Sequence, residues 1–147
     1  ETYDLSGPEA IVTSPRGIMT ASGSITYNSS DINNIQVIAF GAASYKDDNG
    51  RVVEGERVVA FLDEDGEIEN INAERNAKVV TPEGIVATAD RLKFVAAQDR
   101  ADLFGNVEII DRDNIMQGAR AEVEFDKEIS RLLSDNTGKR VTGVLNP

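Results

Sequence analysis

The side chains able to do chemistry here are carboxylates, hydroxyls and a modest set of cations, because the sequence holds no cysteine and no histidine. That removes thiol nucleophiles, disulfides, histidine acid–base catalysis and any zinc site built on Cys or His. The densest polar groups are Asp47-Asp48-Asn49-Gly50 and Asp63-Glu64-Asp65-Gly66-Glu67. Both could suggest calcium, yet neither has the alternating ligand spacing and distal Glu of an EF-hand loop. Hairpin turns explain them better. Serines, lysines and carboxylates are present, but no G-x-S-x-G elbow or phosphate loop gathers them. Nothing in the spacing selects a carboxylate pair for acid–base work. The sequence therefore reads as a non-enzyme with no metal and no cofactor. Asn28-Ser29-Ser30 is a glycosylation sequon, which carries no meaning if the source is bacterial.

Chemistry thus moves to the apolar residues, whose spacing is periodic. A hydrophobic-x-aromatic triplet occurs as Ile25-Thr26-Tyr27, Val59-Ala60-Phe61, Leu92-Lys93-Phe94 and Val123-Glu124-Phe125, with the aromatics 34, 33 and 31 residues apart. Before each triplet lies a turn followed by an apolar pair. These are Pro15-Arg16-Gly17 with Ile18-Met19, Asp48-Asn49-Gly50 with Val52-Val53, Pro82-Glu83-Gly84 with Ile85-Val86, and Arg112-Asp113-Asn114 with Ile115-Met116. After each triplet come a second polar turn and a returning apolar strand. An ordered recurrence at this period signals stacked structural repeats.

Each repeat reads as a β-hairpin. Apolar residues alternate with period two, as in Leu92/Phe94, Val107/Ile109 and Val123/Phe125, and turn residues bound them. No segment sustains a helical i, i+3, i+4 pattern. The legs are about a dozen residues, longer than the usual ~5–6 residue strand. Many carry a small residue at mid-length: Gly23, Gly55, Ala89 and Gly118 outbound, Gly41 and Gly105 on the return. Gly within a strand marks a bend or bulge. The legs are therefore expected to fold over near Gly23, Gly55 and Gly118, giving two faces joined along a crease. Eight or nine legs at ~4.8 Å spacing make a body roughly 40 Å long, open at both ends.

The whole-chain totals fit this reading. At 147 residues, 40% hydrophobic and 28% charged, the chain is sized for a single folded domain spanning 1–147, with four hairpin repeats of 31–34 residues. Its net charge of -11 opposes nucleic acid and anionic membrane surfaces as partners. No stretch is long and apolar enough to span a bilayer, and the chain does not open with a signal peptide. If the protein is exported, Glu1 follows a removed segment.

The segment Asn76-Ala77-Lys78-Val79-Val80-Thr81-Pro82-Glu83-Gly84, followed by Gly105-Asn106-Val107, resembles the repeat of the OstA/LptA family. The C-terminal run Ser134-Asp135, Gly138-Lys139-Arg140-Val141-Thr142, Val144-Leu145 and Pro147 is similar to the end characteristic of LptA proteins. The resemblance is clearest from Arg75 to Pro147. It implies an all-β, OstA-like β-jellyroll: a folded, twisted antiparallel sheet of stacked bent hairpins with open ends. It further implies a periplasmic bridge carrying lipopolysaccharide to the outer membrane, with acyl chains held inside. An LptC-like protein would sit at the N-terminal edge, an LptD-like protein at the C-terminal edge. The strongly acidic balance departs from what a carrier of a phosphate-bearing glycolipid would be expected to show, and it implies that the acyl chains are gripped while the anionic headgroup stays in solvent.

Aligned to that family, Ile85, Ala87, Leu92 and Phe94 fall on the inner, lipid-facing surface. The repeat adds Ile18, Ile25, Tyr27, Val59, Phe61, Val107, Ile109, Ile115, Val123 and Phe125. Ala87, Thr20 and Gln117 at equivalent positions, with only eight aromatics in the chain, suggest a lining that leaves room. The first strand offers Ile11 and Val12 as an unpaired edge, the last Val141, Val144 and Leu145, so head-to-tail self-association by strand addition is expected. Two other readings stay open: the soluble domain of an LptC-like protein, and a structural β-solenoid with a closed, dry core.

Overall fold

A computed structural model describes residues 2–6, 9–14, 16–29, 35–127, 129–133 and 142–144. Among these, twelve strands form one antiparallel sheet. They are β1 (Thr2–Ser6), β2 (Ala10–Ser14), β3 (Gly17–Ala21), β4 (Ser24–Asn28), β5 (Ile35–Asp47), β6 (Val52–Leu62), β7 (Ile68–Val80), β8 (Val86–Val95), β9 (Arg100–Asp111), β10 (Asn114–Glu124), β11 (Ile129–Leu133) and β12 (Thr142–Val144). The one helical feature described is a single 3-10 turn, Ala96–Gln98.

Six long strands, β5 to β10, pair in sequence order, and each belongs to two leaves. β5 pairs β3 through Ser44–Asp47 and β4 through Gln36–Phe40. At the far end β10 pairs β12 through Ile115–Gln117 and β11 through Arg120–Glu124. The first leaf therefore runs from β2 to β12 and the second from β1 to β11.

The crease between leaves is built from bulges. Consecutive residues with positive φ occur in three return strands: Gly41–Ala42 (87° and 40°), Arg75–Asn76 (61° and 57°) and Gly105–Asn106 (82° and 48°). By register, the pairs oppose the single residues Glu56, Asp90 and Ala119. Two residues against one is a β-bulge, which bends the strand and raises its twist. The expected fold points near Gly23, Gly55 and Gly118 lie on this line, but the β7 bend was hidden because it uses Arg and Asn. Gly105 has a second reason to be glycine: an added Cβ would fall 2.5 Å from Asp90 Oδ2.

The two acidic clusters close hairpins. Asp47 Oδ1 accepts the N–H groups of Asn49 and Arg51, and Asp63 Oδ1 those of Asp65 and Glu67, all at 2.9 Å. Thr81 Oγ1 does the same for Ile85 N–H at 3.0 Å. In each turn the fourth residue is a glycine with positive φ (Gly50, Gly66, Gly84), donating to the first carbonyl. This is a β-turn closed by a glycine bulge, a common hairpin connection.

The core lies between the leaves. One register row crosses the second leaf as Ile25, Ala39, Val58, Ala73, Leu92, Leu103 and Ala121. Another crosses the first leaf as Val12, Met19, Tyr45, Val53, Val79, Ala87, Ile109 and Met116. Both rows pack into one hydrophobic cluster. Alanines (Ala21, Ala43, Ala77, Ala89) gather beside the crease, where converging leaves leave no space for larger side chains.

Candidate functional site: the apolar interior and its mouth

The interior is filled unevenly. Toward β8–β10, Phe94 and Phe125 meet edge to face at 5.5 Å between ring centroids. The space bordered by both rings is about 10 Å³. Toward β2–β6 a cavity of about 200 Å³ stays open, lined by Val12, Met19, Tyr27, Val37, Leu62 and Ile68 among others. An apolar cavity of ~150 Å³ admits a benzene ring, so this one has room for a short hydrocarbon segment and not for a whole lipid.

The mouth is the gap between the turn ends of the two leaves. Arg16, on the β2–β3 turn, reaches Glu67 on the β6–β7 turn (Nε–Oε2 3.1 Å). Arg51, after the β5–β6 turn, makes a two-pronged pair with Asp99 on the opposite leaf, with Nη2–Oδ2 at 3.0 Å. Asp47 lies 3.8 Å from the same guanidinium, which stacks 5.0 Å over the Phe125 ring. Between these pairs lies a polar vestibule of about 270 Å³, with Tyr45, Asp48, Asn49 and Ile68 in its walls. Tyr45 stands at its back and donates its hydroxyl to the Arg16 carbonyl at 3.4 Å. Burial, helped by the nearby Asp47 and Asp48 carboxylates, pushes its pKa up to about 12. Three carboxylates (Asp47, Asp48 and Glu67) against two guanidiniums leave the vestibule net acidic.

Of the residues expected inside, Ile25, Ile85, Ala87, Leu92, Phe94, Val107, Ile109, Val123 and Phe125 are buried in the cluster, and Tyr27 packs against it. Among them Tyr27 alone borders the larger cavity. Four others face outward and correct the expected facing. Ile18 and Ile115 are 44% and 38% exposed. They sit in an outer row with Val52, Val80, Val86 and Ile110, while their neighbours Met19 and Met116 turn inward. By register Val59 and Phe61 also lie on the outer face, Phe61 opposite Gln36 and Asn70, because Val58, Ala60 and Leu62 point inward; Val59 is nonetheless buried, 3% exposed. Thr20 and Gln117 are outer-face residues by the same register. Among the edge residues, Ile11 is exposed and Val12 lines the cavity. Val144 pairs Ile115, whereas Val141 and Leu145 lie outside the described residues. The cavity residues missed from sequence are Met19, Val37, Tyr45, Ala60, Leu62 and Ile68. Met19 was signalled by its apolar pair, and Val37 by the returning strand. Among the described residues no cluster of three or more acidic side chains is arranged to hold a metal ion.

Comparison with solved structures finds LptH from Pseudomonas aeruginosa, titled the LptA homologous periplasmic component of the conserved lipopolysaccharide transport device. The match has a TM-score of 0.71 and 11% identity, covering 100% of this chain and 96% of that one. At that identity the likeness is one of fold: the jellyroll expected from sequence is the architecture found. No curated protein matches the chain by sequence. The sequence model of the LptA/(LptD N-terminal domain) LPS transport protein family does match, over residues 28–129. The chain, with its two-leaved sheet creased around an apolar interior, belongs to that family of lipopolysaccharide transport proteins.

Proposed function

We propose that this protein is a periplasmic bridge that carries lipopolysaccharide from the inner toward the outer membrane, with acyl chains between the leaves. The observation that carries the reading is the apolar cavity of about 200 Å³ between β2–β6 and the start of β7. A sheet that fills one half of its interior and leaves the other hollow departs from native packing density, and the hollow half is apolar. The solved relative LptH, named as a periplasmic transport component, supports the compartment. The acidic mouth favours leaving the phosphate-bearing headgroup in solvent. At the ends, β1 and β2 would receive an LptC-like protein, β11 and β12 an LptD-like protein, and copies would join head to tail.

The filled half around Phe94 and Phe125 favours a second reading, a structural module with a closed core. Adjacent residues on β6 separate the two. A photo-reactive residue at Leu62, facing the cavity, should crosslink to lipopolysaccharide at least several-fold more than one at Phe61. Equal labelling, or none at either, would support the closed module.

A further inference from the structure

The ion pairs at the mouth are not distributed as surface decoration would be. Each joins a first-leaf turn to a second-leaf turn, so neither can persist if the leaves part there. They also differ in kind along the seam. Arg16 and Glu67, with side chains 62% and 49% exposed, guard the end where the interior is hollow. Arg51 and Asp99, 19% and 25% exposed, clamp the end where it is full. An exposed pair is screened by water and salt and is weak. A two-pronged, partly buried guanidinium–carboxylate pair is stronger, and here it also stacks on Phe125.

We propose that the seam is a side port for acyl chains, opening at the Arg16–Glu67 end and hinged at the Arg51–Asp99 clamp. Resting on the lipid reading above, it adds the route of entry. Arg16, Tyr45 and Ile68 border both the vestibule and the cavity, so a route from one to the other would pass these side chains. A chain entering there passes from acidic turns into an apolar hollow without crossing the Phe94–Phe125 contact. The excess carboxylates repel an anionic headgroup, so the tail enters and the head stays out. A filled cavity would hold the leaves apart and keep Arg16 from Glu67; an empty one lets the pair re-form.

The absence of native cysteine makes the port testable by tying it shut. The double variants Arg16→Cys/Glu67→Cys and Arg51→Cys/Asp99→Cys would each be joined with a short, reducible bismaleimide. Uptake of fluorophore-labelled lipopolysaccharide is then followed by stopped flow. Each variant with its cysteines separately capped by N-ethylmaleimide is the untied control. Tying 16 to 67 should slow uptake at least tenfold, with reduction restoring it, and the capped form should load several-fold faster than wild type. Tying 51 to 99 should change the rate less than twofold, which also shows that crosslinking leaves the fold competent. Uptake by the 16–67 tied protein at the untied rate would mean entry through the open ends, overturning the port while the lipid reading stands. Equal slowing by both ties would overturn the hinge. No uptake by wild type would remove the lipid reading and the port with it.

Discussion

Tyr45 is where burial, electrostatics and the mouth meet in one side chain. Its ring borders the cavity, its hydroxyl reaches the Arg16 carbonyl, and Gly17 packs so closely that an added Cβ would fall 2.6 Å from the phenol oxygen. Gly17→Ala must push both Tyr45 and the Lys46 carbonyl aside. It should cost about 1–3 kcal/mol, as overpacking of a tight site usually does, measurable by urea denaturation. The raised pKa carries its own consequence. The folded state holds the neutral phenol up to about pH 12, whereas the unfolded chain releases the proton near 10.0. The resulting stability is therefore complete below pH 10 and is lost as pH rises through 12. Unfolding free energy should fall across that window by about 2 kcal/mol more in wild type than in Tyr45→Phe. Parallel pH profiles for the two proteins would exclude a desolvated phenol.

The elements were legible where sequence offers one solution and opaque where it offers two. Turns, triplets and mid-strand glycines placed the hairpins, three of the four triplets and the crease. The run Val58-Val59-Ala60-Phe61-Leu62 is apolar throughout, so period-two alternation fits either face, and a slip of one residue reverses every side chain. Phe61 invited the wrong choice. The bulge near Gly55 and a second irregularity between Phe61 and Leu62 set the phase, and neither is visible in composition. The pairs Ile18-Met19 and Ile115-Met116 posed the same ambiguity. There Ile115 pairs with Ile110 on the outer face, a favourable cross-strand arrangement, Ile18 sits between Thr13 and Lys46, and in both pairs the flexible Met turns toward the core. In the native state Ile115→Cys should accordingly react with a maleimide at least tenfold faster than Met116→Cys. The crease makes a further demand. At Gly105 an alanine meets both a left-handed backbone and Asp90, so Gly105→Ala should lose about 2 kcal/mol or more. Equal stability of variant and wild type would show that the bulge can re-form elsewhere.

At the scale of the whole molecule the consequence lies in the ends. Among the described residues, each leaf begins and ends on a strand paired on one side: β1 with β4, β2 with β3, β11 and β12 with β10. Such edges present unpaired N–H and C=O groups and template further strands. The interior rows also run out to these edges, so a second copy added in register would continue the apolar surface. Because the two ends differ, such a contact would be heterologous and would propagate instead of closing. Opposing it is the net charge of -11 on every copy. That repulsion is screened over about 8 Å at physiological ionic strength, while backbone pairing between edges is not. Head-to-tail association should therefore strengthen with added salt as well as with protein concentration. In an antiparallel edge strand alternate residues point their amides outward, so one of the adjacent positions Ile11 and Val12 must offer its N–H to a partner. Proline at the outward-facing position should block growth and leave the circular dichroism unchanged, whereas proline at the other removes a β2–β3 hydrogen bond and should destabilise the monomer. Light scattering across a salt series decides the matter. A wild-type chain that stays monomeric at millimolar concentration and high salt would remove the bridge built from its own copies.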